Sequence, residues 1–327
     1  MKSKYDRKNG HRIKESKMST KNISLLPFYV QEKHEAPWSL SHINAIQMWK
    51  RGYTGQGAVV AVLDTGCNVL HPYIKHSIIG GVDFTESSRR GASDISDKNG
   101  HGTHVCGIIS ASRNMQNGMC GVAPDAKLLI LKVLNADGSG DIDPILKAIH
   151  FAINWRGKSN TRVNVIGMSF GTKQHYPELE EAVDRASQSG ILVVTAAGND
   201  GDGNSSTGEI LYPGYYASVL QVGASDINDK PAYFSNSNKN LDIVAPGVDI
   251  LSLGLKNDYT VMSGTSMACP HVIGGAALLI SYYIKEFGKY PTREQLIYHL
   301  VKNAKKLNYS QQKVGYGLLD LDIFNGK

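Results

Sequence analysis

The chain has 327 residues, 41% hydrophobic and 20% charged. This is the balance of a globular protein that buries a full core without disulfide or metal staples, and it excludes disordered and fibrous classes. The longest continuous apolar run, near Val272–Ile280, falls short of the roughly 18–20 residues that span a bilayer, so no membrane segment is expected.

The net charge of +6 is confined to one end. Residues 1–21 hold eight Lys/Arg and two acids, which accounts for all of it. A nucleic-acid footprint needs a basic face on a folded domain and is not expected from a neutral body with a basic arm. The arm lacks the apolar core of a secretory signal, roughly 7–15 residues. The four cysteines, Cys67, Cys106, Cys120 and Cys269, form no C-x-x-C pair, which suits free thiols in a reducing, cytoplasmic compartment.

In chain order, residues 1–22 are polar and expected to lack regular structure. A short apolar stretch follows, Leu25-Leu26-Pro27-Phe28-Tyr29-Val30, then a helix around His42–Arg51. Ala58–Leu63 is an apolar run of strand length that ends in Asp64. Helical spacing over His101–Ser112 precedes a strand at Lys127–Val133, a helix over Asp141–Trp155 and a strand at Val163–Met168. A helix over Glu178–Ser189 leads to strands at Ile191–Ala196, Val219–Gly223 and Leu241–Val244, then helices over Ser266–Lys285 and Thr292–Lys305. Strands apolar on both faces, alternating with amphipathic helices, predict an α/β fold with a mainly parallel sheet covered on both sides. Residues 41–327 read as one such domain and residues 1–40 as a basic N-terminal extension. Open α/β sheets carry their sites beyond the carboxyl ends of the strands, so the strand-end residues matter most.

Three segments carry chemistry. Val62-Leu63-Asp64-Thr65-Gly66 places an acid at the end of a strand, and Asn99-Gly100-His101-Gly102-Thr103-His104 places a histidine at a glycine-rich helix start. Ser263-Gly264-Thr265-Ser266-Met267-Ala268-Cys269-Pro270-His271 places a serine at the entry of a long helix. A serine hydroxyl is a weak nucleophile until a base takes its proton, a histidine titrates in the right range to do so, and a carboxylate orients the imidazole. His101 and His104 are three apart and lack the glutamate of H-E-x-x-H, so a zinc-peptidase site is not expected and His104 reads as a packing residue.

D-T-G, H-G-T-H and G-T-S-M-A-x-P resemble the three signature motifs of the subtilisin family of serine peptidases. The likeness extends through Gly121-Val122-Ala123-Pro124, Ala136-Asp137-Gly138-Ser139-Gly140, Ala196-Ala197-Gly198-Asn199, Tyr212-Pro213 and Val244-Ala245-Pro246-Gly247. It covers about residues 45–320. Asp64-Thr65-Gly66-Cys67 and Asn199-Asp200-Gly201-Asp202-Gly203 read most like the intracellular subtilisins of Bacillus-type bacteria.

The resemblance implies a subtilisin-like three-layer fold and a serine endopeptidase. In it Asp64 orients the histidine, His101 is base then acid, Ser266 is the nucleophile and Asn199 is a side-chain oxyanion donor. It places substrate along Gly138, Ser139 and Gly140 on one edge and Ser169, Phe170 and Gly171 on the other. Ala196, Ala197 and Gly198 complete a specificity slot whose small residues suggest room for a large side chain. Glu209 is open between a pocket-floor acid and a loop acid.

Protein or peptide substrates are the implied partners, in general intracellular turnover or in maturation of one precursor. A catalytically silent binding protein is the reading from another class. The subgroup is often dimeric, so a homodimer is the expectation. Leu25-Leu26-Pro27-Phe28 resembles a motif in the subgroup's N-terminal extension that lies over the site and holds activity down. No cofactor is needed for the chemistry. Structural calcium is common in the family, but Tyr73 follows His71-Pro72 where an aspartate ligand is usual, and residues 113–118 lack an acid, so that site is expected to be weak or absent. Cys106 and Cys269 read as core packing close to the site.

Overall fold

The computed structural model describes residues 12–14, 23–25, 28–31, 37–85, 93–113, 119–204 and 206–324. The N-terminal part carries strands β1 (Arg12–Lys14), β2 (Ile23–Leu25) and β3 (Phe28–Gln31), then helices α1 (Ser39–His42) and α2 (Ala45–Lys50). Next come β4 (Val59–Asp64), β5 (Ile78–Asp83), α3 (His101–Ser110), β6 (Lys127–Lys132), β7 (Ser139–Gly140) and α4 (Ile142–Asn154). They are followed by β8 (Val165–Met168), β9 (Phe170–Gly171), α5 (Pro177–Gln188), β10 (Leu192–Ala196) and β11 (Leu220–Ser225). The chain closes with β12 (Ile243–Pro246), β13 (Ile250–Leu253), β14 (Tyr259–Ser263), α6 (Thr265–Phe287), α7 (Arg293–Lys302) and α8 (Gln311–Val314).

Seven strands make the central sheet in the order β12-β11-β10-β8-β4-β6-β5. Every neighbouring pair is parallel. β4, with the sequence VVAVLD, and β10, LVVTA, are buried along their whole length. Continuous β-branched and aliphatic runs of this kind are stable only when both faces are covered. Helices α3 and α6 pack together on one side, and α4 packs on α5 on the other. In α4 the buried residues Ile145, Ala148, Ile149 and Ala152 fall at helical spacing on one stripe. This is the α/β fold expected from the sequence.

α6 differs from the other helices because it is buried nearly all round. By length and composition it is apolar enough to cross a bilayer, although no single apolar run in it is long; 89% of its most apolar window is packed in the core. It is the central core helix.

Some expectations change. The helix predicted over His42–Arg51 is two short helices, because Asn44 between them adopts φ 58°, a left-handed conformation that asparagine tolerates. β5, β13 and β14 were not anticipated as strands. β5 is glycine-rich and half-exposed at the sheet edge, and β13–β14 is a hairpin outside the main sheet. Residues 12–14, expected to lack regular structure, form β1.

Two small sheets flank the site. One is antiparallel, in the order β1-β3-β14-β13. The other has β2 as its middle strand, between β7 and β9, antiparallel to both.

Candidate active site

Asp64 is the last residue of β4, the strand at which the sheet's connections diverge to either side, and it is buried. A carboxylate in such a place needs hydrogen-bond donors. It has them: the backbone N–H of Thr65 donates to Oδ1 at 2.7 Å. Nδ1 of His101 lies 2.9 Å from Oδ1 and 3.0 Å from Oδ2.

His101 is the first residue of α3 and is wholly inside the protein. Gly100 before it adopts φ +103°, which a side-chain-bearing residue rarely does. Gly102 after it approaches the strand-end turn so closely that a Cβ would collide with the carbonyl of Gly66. The glycines flanking the histidine are therefore required by the tight seat of the helix start on the end of β4.

Ser266 lies in the first turn of α6, also buried, and its hydroxyl donates to the backbone carbonyl of Ser169 at 2.8 Å. Asn199 follows β10. Its Oδ1 accepts from the backbone N–H and the hydroxyl of Thr265, each at 2.9 Å. That grip leaves Nδ2 as the donor end, and it lies 3.1 Å from where a Cβ on Gly264 would stand. A fixed amide dipole at the start of α6 is suited to meet negative charge developing beside Ser266.

The structure also brings together the two peptide-binding edges suggested by the sequence. Gly138 makes the turn into β7, and Ser139–Gly140 and Phe170–Gly171 stand on either side of β2. Ile23 is opposite Gly140, Ser24 is opposite both Ser139 and Gly171, and Leu25 is opposite Phe170. Ser169 precedes this edge, and Ala196, Ala197 and Gly198 lie at the carboxyl end of β10, all buried. Gly198 is held by its N–H to the hydroxyl of Thr265 at 3.1 Å. Of the motif Leu25-Leu26-Pro27-Phe28, Leu26 and Pro27 lie outside the described residues.

Sequence reasoning missed Leu211. Its side chain is 3% exposed and packs directly on Gly171, where a Cβ would strike it. Thr172 and Tyr212 exchange backbone hydrogen bonds of 2.9 and 2.8 Å, which pins this segment beside β9. Nothing in the local sequence marks a contact between positions 40 residues apart. Glu209 is a loop acid: Oε2 accepts the backbone N–H of Ser237 at 2.9 Å and its hydroxyl at 3.3 Å.

Neighbouring residues are structural. Nε2 of His104 lies 3.0 Å from the carbonyls of both Ile250 and Thr260, tying α3 to the β13–β14 hairpin, and burial pushes it down to about 3. His271 joins the Met267 carbonyl and the Ser39 hydroxyl, each at 2.8 Å, and burial lowers it to about 4. Burial holds the Cys269 thiol up at about 12, and contact with Cys67 together with burial raises Cys106 well above the thiol range. Both cysteines pack in the core.

At Tyr73 the ring stacks on Tyr259 and the carbonyl accepts from Ser112 N–H at 2.7 Å. The phenol supplies no carboxylate for a hard cation at this position. Residues 114–118 lie outside the described residues.

Against known proteins, the profile of the subtilase family matches residues 55–317. An intracellular serine protease of Paenibacillus polymyxa is 44% identical over 305 residues, covering 92% of this chain and 91% of that one. The major intracellular serine protease of Bacillus subtilis is 41% identical over 304 residues, 91% of this chain and 93% of that one. Subtilisin Savinase of Lederbergia lenta is 40% identical over 286 residues, 88% and 97%. Strand ends, helix starts and likeness over nine-tenths of the length agree: the chain belongs to the subtilase family and is a serine endopeptidase.

Proposed function

We propose that the chain hydrolyses peptide bonds in proteins through an acyl-enzyme on Ser266. His101 takes the hydroxyl proton as Ser266 attacks the carbonyl carbon, then returns it to the leaving amine. Asp64 keeps the imidazole in the tautomer with a proton on Nδ1 and offsets its positive charge once it is protonated. The side-chain amide of Asn199 and the backbone N–H of Ser266 hold the oxyanion. Water repeats the sequence on the ester. Every proton and electron pair in these steps is carried by the protein and substrate, so no cofactor is needed. The observation that supports this reading best is the buried Asp64–His101 pair, at 2.9 and 3.0 Å.

The substrate lies in the place of β2, adding a strand between β7 and β9. The side chain before the scissile bond enters the slot between Ser169–Gly171 and Ala196–Gly198. By the same logic the N-terminal extension is an internal inhibitor, because β2 fills this groove in the full chain. A proline directly after such a strand, as Pro27 is, lacks an N–H and constrains the backbone away from attack geometry. Two relatives named as intracellular serine proteases support a cytoplasmic place of action, where general protein turnover is the role proposed. A peptidase among cytoplasmic proteins needs a brake of this kind.

Hydrolysis of a chromogenic peptide by three chains tests the reading: the full chain, Ser266→Ala, and a chain lacking residues 1–30. The expected order is highest for the truncated chain, lower for the full chain and none for Ser266→Ala. Turnover by Ser266→Ala overturns the acyl-enzyme; equal rates for full and truncated chains overturn the inhibitory extension.

A further inference from the structure

Asp97 stands behind the Asp64–His101 pair. Its carboxylate is 8% exposed. Oδ1 accepts from the Thr65 hydroxyl at 2.9 Å and from the backbone N–H groups of Asn99 at 2.9 Å and Gly100 at 3.0 Å. Oδ2 accepts from the backbone N–H of Thr103 at 2.9 Å and its hydroxyl at 2.7 Å. Five donors exceed the roughly four lone-pair positions of a carboxylate. Among the described residues no cation pairs with it, so a buried negative charge is held by dipoles alone.

Two routes lead from Asp97 to the reacting groups. The first runs through Thr65. Its hydroxyl, given to Asp97, accepts the N–H of Gly102 at 3.0 Å, while its own N–H holds Asp64. The second runs through the start of α3. A helix leaves four N–H groups without partners at its beginning. Here His101 N–H goes to Asn99 Oδ1 at 3.3 Å, Gly102 to Thr65, Thr103 to Asp97 and His104 to the Gly100 carbonyl at 3.1 Å. Asn99, Gly100 and Thr65 are themselves anchored on Asp97. One carboxylate therefore organises both the turn beside Asp64 and the helix start whose first residue is His101.

We propose that Asp97 is a positioning residue for peptide hydrolysis: it fixes the His101 ring on both oxygens of Asp64 and favours the charged form of the imidazole. The inference rests on Asp64, His101 and Ser266 being the working groups. The other titratable or charged groups in this region are Cys67 after β4, Cys106 and His104 on α3, Cys269 and His271 on α6, and Lys132 on β6, whose Nζ donates to the Ser96 carbonyl at 2.7 Å. Burial favours the neutral forms of Cys106, Cys269, His104 and His271, which leaves Asp64 and Asp97 as the carboxylates of this region.

The test uses the full chain with Asp97→Asn, of the same size but with one acceptor oxygen replaced by a donor, and Thr65→Val as a second variant. Rates are normalised to sites counted with an acylating reagent, and the low-field His101 Nδ1 proton is followed by NMR. For Asp97→Asn we expect kcat per site to fall about tenfold or more, as a small misplacement of a catalytic group does. KM should stay within about twofold, and the acid limb of kcat/KM and the His101 resonance should both shift, the limb toward lower pH, because removing a nearby negative charge disfavours the imidazolium. Thr65→Val keeps the Asp97 carboxylate, so it should lower kcat by a smaller factor and move the His101 resonance while leaving the acid limb in place. A variant that loses countable sites while the rest keep the parent kcat, acid limb and resonance would have a purely structural aspartate, and the proposal would fall. Should Asp97→Asn not fold, unchanged kcat and His101 resonance in Thr65→Val overturn it. Turnover by Ser266→Ala would instead overturn the underlying triad.

Discussion

Nδ1 of His101 stands within 3.0 Å of both carboxylate oxygens of Asp64, and neither side chain reaches solvent. One N–H shared between two oxygens fixes the ring plane, and in the proposed mechanism Nε2 is the base.

Replacing Asp64 by asparagine tests that relationship directly. An amide offers an N–H to Nδ1 as readily as an oxygen, so the imidazole proton is no longer confined to Nδ1. The expected outcome is a fall of about 10⁴ in kcat, the size of loss known when a triad aspartate is so replaced, with KM little changed. Steady-state kinetics beside a thermal melt checks it; a loss below tenfold in a normally folded protein contradicts the assigned role.

Ser24 is paired on both sides, with Ser139 and with Gly171. The N–H of a middle strand points at one neighbour or the other, and proline has none to give. Ser24→Pro should therefore loosen β2 and raise the peptidase rate of the full chain toward that of the chain lacking residues 1–30. The comparison is made on one peptide substrate at equal site concentration. A rate equal to that of the unaltered full chain counts against β2 as the element that blocks the groove.

Leu211 packs on Gly171, one of the residues proposed to line the specificity slot. Leu211→Ala should enlarge it and raise kcat/KM for a large aromatic residue before the scissile bond, relative to alanine there, by about tenfold or more, since each methylene in such a pocket is worth about 1–3 kcal/mol. A buried leucine cut to alanine also costs about 2–5 kcal/mol of stability. A peptide series varied at that single residue reads the first effect and denaturant unfolding the second. An unchanged preference would place Leu211 outside the slot.

Stability should rise with pH between about 3 and 6.5. His104 and His271 are pushed by burial to about 3 and about 4 in the folded protein, against about 6.5 when unfolded. Across that window the unfolded chain binds more protons, so acid favours unfolding. The contribution is fully present above pH 6.5 and is lost as pH falls through the folded values, on the order of several kcal/mol for the pair. Asp242, raised by burial to about 6, acts with the opposite sign between about pH 4 and 6 and offsets part of it. Urea midpoints at pH 5 and 7.5 measure the slope, and His271→Gln should flatten it. A midpoint that is the same at both pH values contradicts the assignment.

Much of the site was legible because its signals are local. The run Ala58–Leu63 ended as a strand must, with Asp64 at its carboxyl end, and the glycines around His101 marked a helix start. Helix limits differed by one to three residues, as at α3, which stops at Ser110 rather than Ser112. The β13–β14 hairpin was hidden because its strands are short and its partners lie elsewhere in the chain. Asp97 was passed over because an aspartate in a polar loop looks like any solvated acid until Thr65 and Thr103 are folded onto it.

Periodicity, turn chemistry and three short motifs are properties of neighbouring residues, and by themselves they determined the layered parallel fold and the reaction class. Only the tertiary structure decided that β2 lies between β7 and β9, that Leu211 packs on Gly171 and that Asp97 gathers five donors. Those outcomes depend on contacts between residues tens or hundreds of positions apart. Such contacts form when strands register and helices pack, and no local pattern encodes them.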